Sequence, residues 1–160
     1  MAVSLQIKSN AKKLSQKFKK FQSVLPRIID TGIKQAGFQL VDIIRTKTQK
    51  GIDFNDKPFA PYSEGYLKHL NKIGYPTRVD LWYSGKMLGA LTPSMVKKTG
   101  KHKVTLAFTR NEERDKALWN QVFGNPKREF FGFNNRTKNI IQKSFNIFVE
   151  KELRKFKIWV

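Results

Sequence analysis

The residues of this chain that could do chemistry are few and scattered. Its 160 residues include no cysteine and two histidines, His69 and His102. Disulfides and thiolate metal sites are therefore excluded, and a histidine-rich metal site or a His-based triad has too few members. Asp53 and Asp56 stand among turn residues. They lack the regular acidic spacing and the closing Glu of a calcium loop, and their placement fits turn-forming acids. Gly85-Lys86-Met87-Leu88-Gly89 sets a lysine between glycines, without the glycine spacing or the Lys-Ser/Thr ending of a phosphate loop. One catalytic set stays open. In a basic chain, His69 with Tyr66 or Tyr75 could cleave RNA by acid–base chemistry, provided the fold brings them together. His102 falls at a predicted turn, a place for an exposed side chain. The expectation is no enzyme, no cofactor and no metal.

Positive charge, by contrast, is abundant. Lysine and arginine number 32 against 12 acidic residues, a net charge of +20 with a pI of about 10.3. A balance of that size points to a polyanionic partner or an acidic assembly surface, or else to a solvated basic surface that aids solubility. The cations are spread from Lys8 to Lys157. That spread suits contact with nucleic acid through its phosphates, without reading of sequence. There is no apolar run long enough to span a bilayer, and the opening Met-Ala-Val-Ser-Leu-Gln-Ile-Lys is not a signal-peptide pattern. The chain is expected to be made and kept in the cytosol until it is assembled into something.

The elements that must position these residues follow from periodicity. Val3, Leu5 and Ile7 alternate with polar residues, as in a half-buried strand or an extended arm. Leu14, Phe18 and Phe21 predict a short amphipathic helix with a basic outer face. Pro26 then opens a second, main helix carrying Ile29, Ile33, Ala36, Leu40 and Ile44, which ends near Lys50 and Gly51. Gly32 and Gly37 weaken that helix or admit a close neighbour. Residues 52–80 are rich in Asp, Asn, Pro and Gly yet carry Phe54, Phe59, Tyr62, Tyr66 and Tyr75. Such a stretch is a docked Ω-type loop or an arm ordered against a neighbour. Ser84 predicts a helix cap, with Met87, Leu88 and Leu91 facing the core. Residues 95–98 and 103–109 read as two strands joined through Thr99-Gly100-Lys101-His102. A helix then holds Ala117, Leu118, Trp119 and Val122 and stops at Gly124-Asn125-Pro126. Phe130-Phe131-Gly132-Phe133 reads as a buried anchor or a short strand, and Asn134-Asn135 caps a last helix to about Lys155. The tail Lys157-Ile158-Trp159-Val160 is apolar, a liability if exposed and an anchor if docked on a partner. The expected fold is α+β in a single domain, 1–160. A small antiparallel sheet packs with a long N-terminal helix and a C-terminal helix, and a long aromatic loop lies at about 52–80.

Four stretches, in this order, resemble the phage virion-morphogenesis proteins of the head–tail joining, or tail-completion, class. The first is the extended segment through Ile7, a helix, and then the Pro26 helix with Ala36 and Gly37. The second is Phe59-Ala60-Pro61-Tyr62-Ser63 with Tyr66, similar to the family's aromatic–Pro loop. The third, Leu81-Trp82-Tyr83-Ser84-Gly85-Lys86-Met87, resembles its Leu-x-x-Ser/Thr-Gly-x-Leu/Met motif. The fourth runs from Ala117 to Gly124 and on through Arg128-Glu129-Phe130-Phe131-Gly132, and resembles its Ala…Gly…Arg-x-Phe-x-Gly signature. The resemblance implies a structural virion protein that forms a homo-oligomeric ring at the neck, assembled in the host cytoplasm. The ring would join the portal-side connector or stopper of the DNA-filled head to the tail tube. Contact with genomic DNA would be transient and non-specific, with no membrane. Stopper, tail-completion and tail-terminator proteins share similar small folds, so fold alone does not choose among them. Phe54, Phe59, Tyr62, Tyr66, Tyr75, Arg128 and Trp159 are the expected interface residues, and Trp119, Phe130 and Phe131 the expected core anchors. A basic nucleic-acid-binding module and an RNA-cleaving toxin remain as alternatives.

Overall fold

A computed structural model describes residues 10–82 and 84–156. The predicted arm of Val3, Leu5 and Ile7 lies outside the described residues, as do Tyr83 and the tail with Trp159. The spine is α1, Ala11–Gln49, one helix of 39 residues. The sequence predicts two helices meeting at Pro26, but the helix continues through the proline. Pro26 and Gln22 both face solvent, so water can satisfy the Gln22 carbonyl that the proline leaves without a donor. The apolar positions Leu14, Phe18, Phe21, Leu25 and Ile28 also keep one face across the proline, giving the chain no reason to turn. The helix stops at Gly51, whose φ is +76°. A Cβ there would stand 2.9 Å from the Val79 carbonyl oxygen, so both conformation and space require glycine.

The remaining elements are α2 (Glu64–Lys72), α3 (Lys86–Gly89), β1 (Val96–Gly100), β2 (Lys103–Leu106), α4 (Asn111–Leu118) and α5 (Asn135–Arg154). The fold is α+β, with a two-stranded antiparallel sheet against a long N-terminal and a C-terminal helix. β1 and β2 pair with Val96 opposite Leu106 and Lys98 opposite Val104. Of the predicted second strand, residues 107–109 leave the sheet, although the Ala107 N–H still donates to the Met95 carbonyl at 3.1 Å. The core joins Val41 and Ile44 of α1 to Phe59, Met87, Leu88, Leu91, Met95, Val96, Ala117 and Phe130. Ser84 does not cap α3. Gly85 takes the cap position at φ +68°, with the Trp82 ring 3.0 Å from where its Cβ would be.

Two glycines let the partners of α1 come close. A Cβ on Gly32 would stand 2.8 Å from the Phe145 ring and 3.0 Å from that of Phe148, both on α5. One on Gly37 would stand 2.8 Å from Val96 of β1. Polar contacts then fix each partner. Asp30 holds the hairpin: its carboxylate takes the Lys98 ammonium, the His102 backbone N–H at 3.1 Å and the His102 Nδ1 at 2.9 Å. His102, expected to be an exposed turn residue, is thus half-buried and engaged, at φ +53°. Lys47 ties the other end. Its Nζ lies 2.7 Å from Asp56 Oδ1, and it donates to the Phe54 carbonyl and to Thr137 Oγ1, each at 3.3 Å. Asn134 donates to Asp56 at 2.7 Å and accepts the Thr137 N–H at 2.9 Å, capping α5. Asp53 accepts the Lys57 N–H at 2.8 Å, as a turn-forming acid does.

Gly37→Ala is expected to destabilise the protein by about 1–3 kcal/mol, because Val96 must move. Gly65→Ala is its control: a Cβ there meets nothing within 4 Å inside α2, and about 0.5–1 kcal/mol of stabilisation is expected. Urea unfolding of both variants checks the pair. The hydrogen bond from Lys98, with those from His102, holds the Asp30 carboxyl below its ordinary range. A carboxyl lowered in the folded state adds stability above its unfolded pKa of ~3.9, and that part is lost as pH falls through the lower folded value. The denaturation midpoint should therefore fall on acidification below about pH 4. Asp30→Asn should flatten that fall, as a midpoint-against-pH series would show.

Candidate functional site

Three of the stretches that carry the resemblance meet at one open groove of about 650 Å³. Tyr62, Ser63 and Tyr66 come from the start of α2. Leu81 and residues 84–87 lead into α3, and Lys116, Asn120, Asn125, Pro126 and Arg128 come from α4 and the segment after it. Arg128 joins two of the walls. Its Nε donates to the Ala60 carbonyl at 3.2 Å and its Nη2 to the Pro61 carbonyl at 3.0 Å, while the guanidinium lies 5.0 Å over the Tyr62 ring. A planar fork suits that double contact as a single ammonium does not. Tyr62 meets Tyr66 edge-on at 4.9 Å. Burial pushes the Tyr62 phenol above its ordinary range, against a hydrogen bond with the Leu81 backbone that pulls it down.

The segment 128–131 belongs to no helix or strand, so its backbone groups find other partners, the first within itself: the Phe130 N–H donates to the Arg128 carbonyl at 2.9 Å. The Arg128 N–H donates to the Asn120 carbonyl at 2.7 Å, and the Glu129 carbonyl accepts from the Phe54 N–H at 3.0 Å. Gln121 serves Phe131 twice: its Oε1 accepts the Phe131 N–H at 2.9 Å and its Nε2 donates to the Phe131 carbonyl at 3.1 Å. Between these points Phe130 is 1% exposed, and Phe131 lies 5.7 Å from the Phe108 ring.

The same arrangement overturns an expectation. Trp119, read as a core anchor, is 63% exposed, beside Leu118, Val122 and Phe123. After Leu118 the helix widens into one π-helical turn, Trp119–Phe123, closed by the Gly124 N–H donating to the Trp119 carbonyl at 2.6 Å. The wider turn brings the Asn120 backbone carbonyl and the Gln121 side-chain amide to the 128–131 backbone, while the Asn120 amide donates to the Lys116 carbonyl at 2.9 Å, and it sends the large apolar side chains outward. A glycine must close it, because a Cβ on Gly124 would stand 2.9 Å from the Trp119 oxygen. Periodicity favours the apolar residues for burial and gives no signal for an inward amide clamp. The Gly124-Asn125-Pro126 stop was the available hint.

The expected interface aromatics separate. Phe59 is buried in the core, and Phe54 lies against Gly132, where a Cβ would stand 3.0 Å from its ring. Residues 54–75 therefore pack on their own chain more than the sequence predicts, because α2 fills the middle of the stretch and buries Leu70. Tyr62 and Tyr66 line the groove and Tyr75 is exposed. Arg128, expected at an interface, has an internal task. Tyr66 and His69 do come together, their rings stacked 6.2 Å apart on α2. Yet the groove that Tyr66 lines has no carboxylate and no imidazole among its described lining residues. With Lys86, Lys116, Arg128, two asparagines and two tyrosines, it can hold an acidic or hydrogen-bonding segment. Among the described residues, no group of three or more His, Asp or Glu is placed to hold a metal ion, and no helix is long and apolar enough to cross a membrane.

Compared with family models, curated proteins and solved structures, the chain matches none.

Phe130→Ala should cost about 3–5 kcal/mol, read by urea unfolding. Arg128→Lys can reach one carbonyl but not both, and should cost about 1–2 kcal/mol. Faster hydrogen exchange at the start of α2 would locate the loss. Unchanged exchange there would detach Arg128 from the groove wall.

Proposed function

We propose that this chain is a structural, non-enzymatic virion protein that forms a ring at a phage neck, joining the connector side of the DNA-filled head to the tail. The observation that carries the reading is the convergence of three separately read stretches on one groove. In a protein whose role is to bind other proteins, stretches far apart in sequence should build one surface. A second observation supports it. Leu118, Trp119, Val122 and Phe123 form an exposed apolar patch led by two aromatics, the composition of an interface centre. Rings use heterologous interfaces that close, so a groove and an exposed apolar patch of different composition on one subunit suit that symmetry. Lysines and arginines facing the lumen would meet phosphates in passing, without reading sequence.

The charge of +20 favours one other reading, a nucleic-acid-binding module. Mass measurement with connector and tail proteins separates the two. Higher-order complexes with those proteins are expected. A protein that stays monomeric beside them yet binds RNA tightly by itself would sink the neck proposal. RNA cleavage lost in His69→Ala would favour a toxin instead. Within the neck reading, Trp119→Ala with Phe123→Ser should leave the thermal melt nearly unchanged and reduce head–tail joining at least about tenfold, as expected of central interface aromatics. Joining at wild-type level by that double variant would remove the patch from the interface.

A further inference from the structure

The α1–α5 pair leaves a second groove, far from the first, at the end of α1 that α5 barely reaches. The two helices run antiparallel: Lys47 meets Thr137, Gln39 meets Ser144, and Phe21 meets Phe156 edge-on at 5.7 Å. α1 continues ten residues beyond Phe21 toward its start at Ala11. A groove of about 550 Å³ opens between the helices here. Its floor is apolar, with Val24, Ile28, Phe148 and Phe156. Lys20, Arg27 and Lys155 stand at its rim. The same α1 face goes on through Phe18 and Leu14, 40% and 44% exposed. Leu14, Phe18, Phe21, Leu25 and Ile28 are spaced four, three, four and three residues apart, the repeat with which one helix receives another.

Charge says what can cover this face. α1 carries Lys12, Lys13, Lys17, Lys19, Lys20 and Arg27 before its first acidic residue, Asp30. Glu152, the one acid lining the groove, is engaged by Lys155. A second copy would bring the same cations to the same place, and like charges across an interface oppose association. Nucleic acid would meet the cations, but phosphates gain nothing from a strip of Val, Ile, Leu and Phe. A surface that is apolar along its centre and basic along both sides matches an amphipathic helix with acidic flanks.

We propose that this groove docks an acidic amphipathic helix of a partner protein, its apolar residues on the Leu14-to-Ile28 stripe and its carboxylates toward Lys20 and Arg27. The proposal does not depend on the neck reading.

The probe is a synthetic 21-residue helical peptide with leucines at heptad a and d positions and glutamates beside them, titrated against the full chain by fluorescence anisotropy. A 20-base-pair DNA duplex is the rival probe. The peptide is expected to bind, and Leu14→Ser with Phe18→Ser to weaken it at least about tenfold. Both side chains are exposed, so the fold should survive, and circular dichroism checks this. Lys20→Glu with Arg27→Glu should weaken the peptide by a similar factor. Between about 50 and 200 mM salt, peptide binding should fall less than about tenfold, whereas a surface contacting 6–10 phosphates would lose about 10³–10⁵. Several results would overturn the proposal. They are no peptide binding, peptide binding indifferent to the Leu14 and Phe18 changes, or duplex binding tighter than peptide and equally indifferent to them. Tenfold tighter peptide binding by Trp159→Ser would make the chain's own C-terminus the occupant. Self-association of the wild type, lost in Leu14→Ser with Phe18→Ser, would make it a second copy.

Discussion

Everything else in this fold depends on two missing side chains on α1. At Gly32 the rings of Phe145 and Phe148 occupy the space that a Cβ would need, and at Gly37 Val96 does the same. The helix therefore receives α5 and the hairpin at backbone distance. Glycine inside a helix costs roughly 1 kcal/mol relative to alanine. Here the cost is offset by contacts that a side chain would prevent. With so small a sheet, the described residues build much of their core against α1. Asp30 and Lys47 then fix direction: one holds the hairpin near the middle of α1, the other gathers the loop after α1 and the cap of α5. Dispersion holds the layers together, and the two polar clusters allow a single arrangement of them.

The second dependence is the irregular 128–131 segment. It belongs to no strand, and its backbone groups are taken up by Gln121, by Asn120, by Phe54 and by a turn of its own from the Phe130 N–H to the Arg128 carbonyl. Asn120 and Arg128, joined by one of these bonds, both line the groove, so its wall depends on how that backbone is satisfied. The π-helical turn is the solution, because it presents the Gln121 amide and the Asn120 carbonyl to that backbone. Its consequence is the exposed Trp119 and Phe123, which an ordinary α-helical turn would have disposed differently. The apolar patch on the surface and the clamp in the interior thus arise from the same local change of winding.

How much of this the sequence revealed depended on whether the signal was local. The hairpin at 96–106, the stop at Gly51, the Asn134 cap and the face of α5 all rest on short-range periodicity or capping, and all were legible. Pro26 misled because the cost of a proline inside a helix, about 3 kcal/mol or more, is outweighed here by an apolar stripe that continues across it. α2 was legible in principle, since Ser63 accepts from the Tyr66 N–H at 3.4 Å and Tyr66, Leu67 and Leu70 recur at helical spacing. The surrounding prolines and glycines hid it. Non-local pairings could not be read: nothing in the chain announces that Arg128 will reach the Ala60 and Pro61 carbonyls, or Lys47 the carboxylate of Asp56. For the groove, the sequence supplied the stretches but not their meeting.

The charge distribution follows from the same architecture. Acidic residues are few, and the fold places several of them at joints. Asp30 sits under the hairpin, Asp56 between α1 and α5, Asp80 before α3, and Glu113 buried in the first turn of α4 with Arg110 3.8 Å away. Glu113 leaves one carboxylate oxygen without a hydrogen-bond partner, and the amide field at a helix start is what favours a negative charge there. Carboxylates committed to joints cannot also neutralise the surface. α1 shows the result, with no acidic residue from Ala11 to Ile29 among six lysines and arginines. Like charges one turn apart on a helix cost a few tenths of a kcal/mol each, and salt relieves them over a Debye length of about 8 Å. The first half of α1 is therefore the part of the fold whose stability should respond most to ionic strength. It is also the part with the most to gain from an anionic neighbour, because an opposing charge there removes repulsion as well as adding attraction.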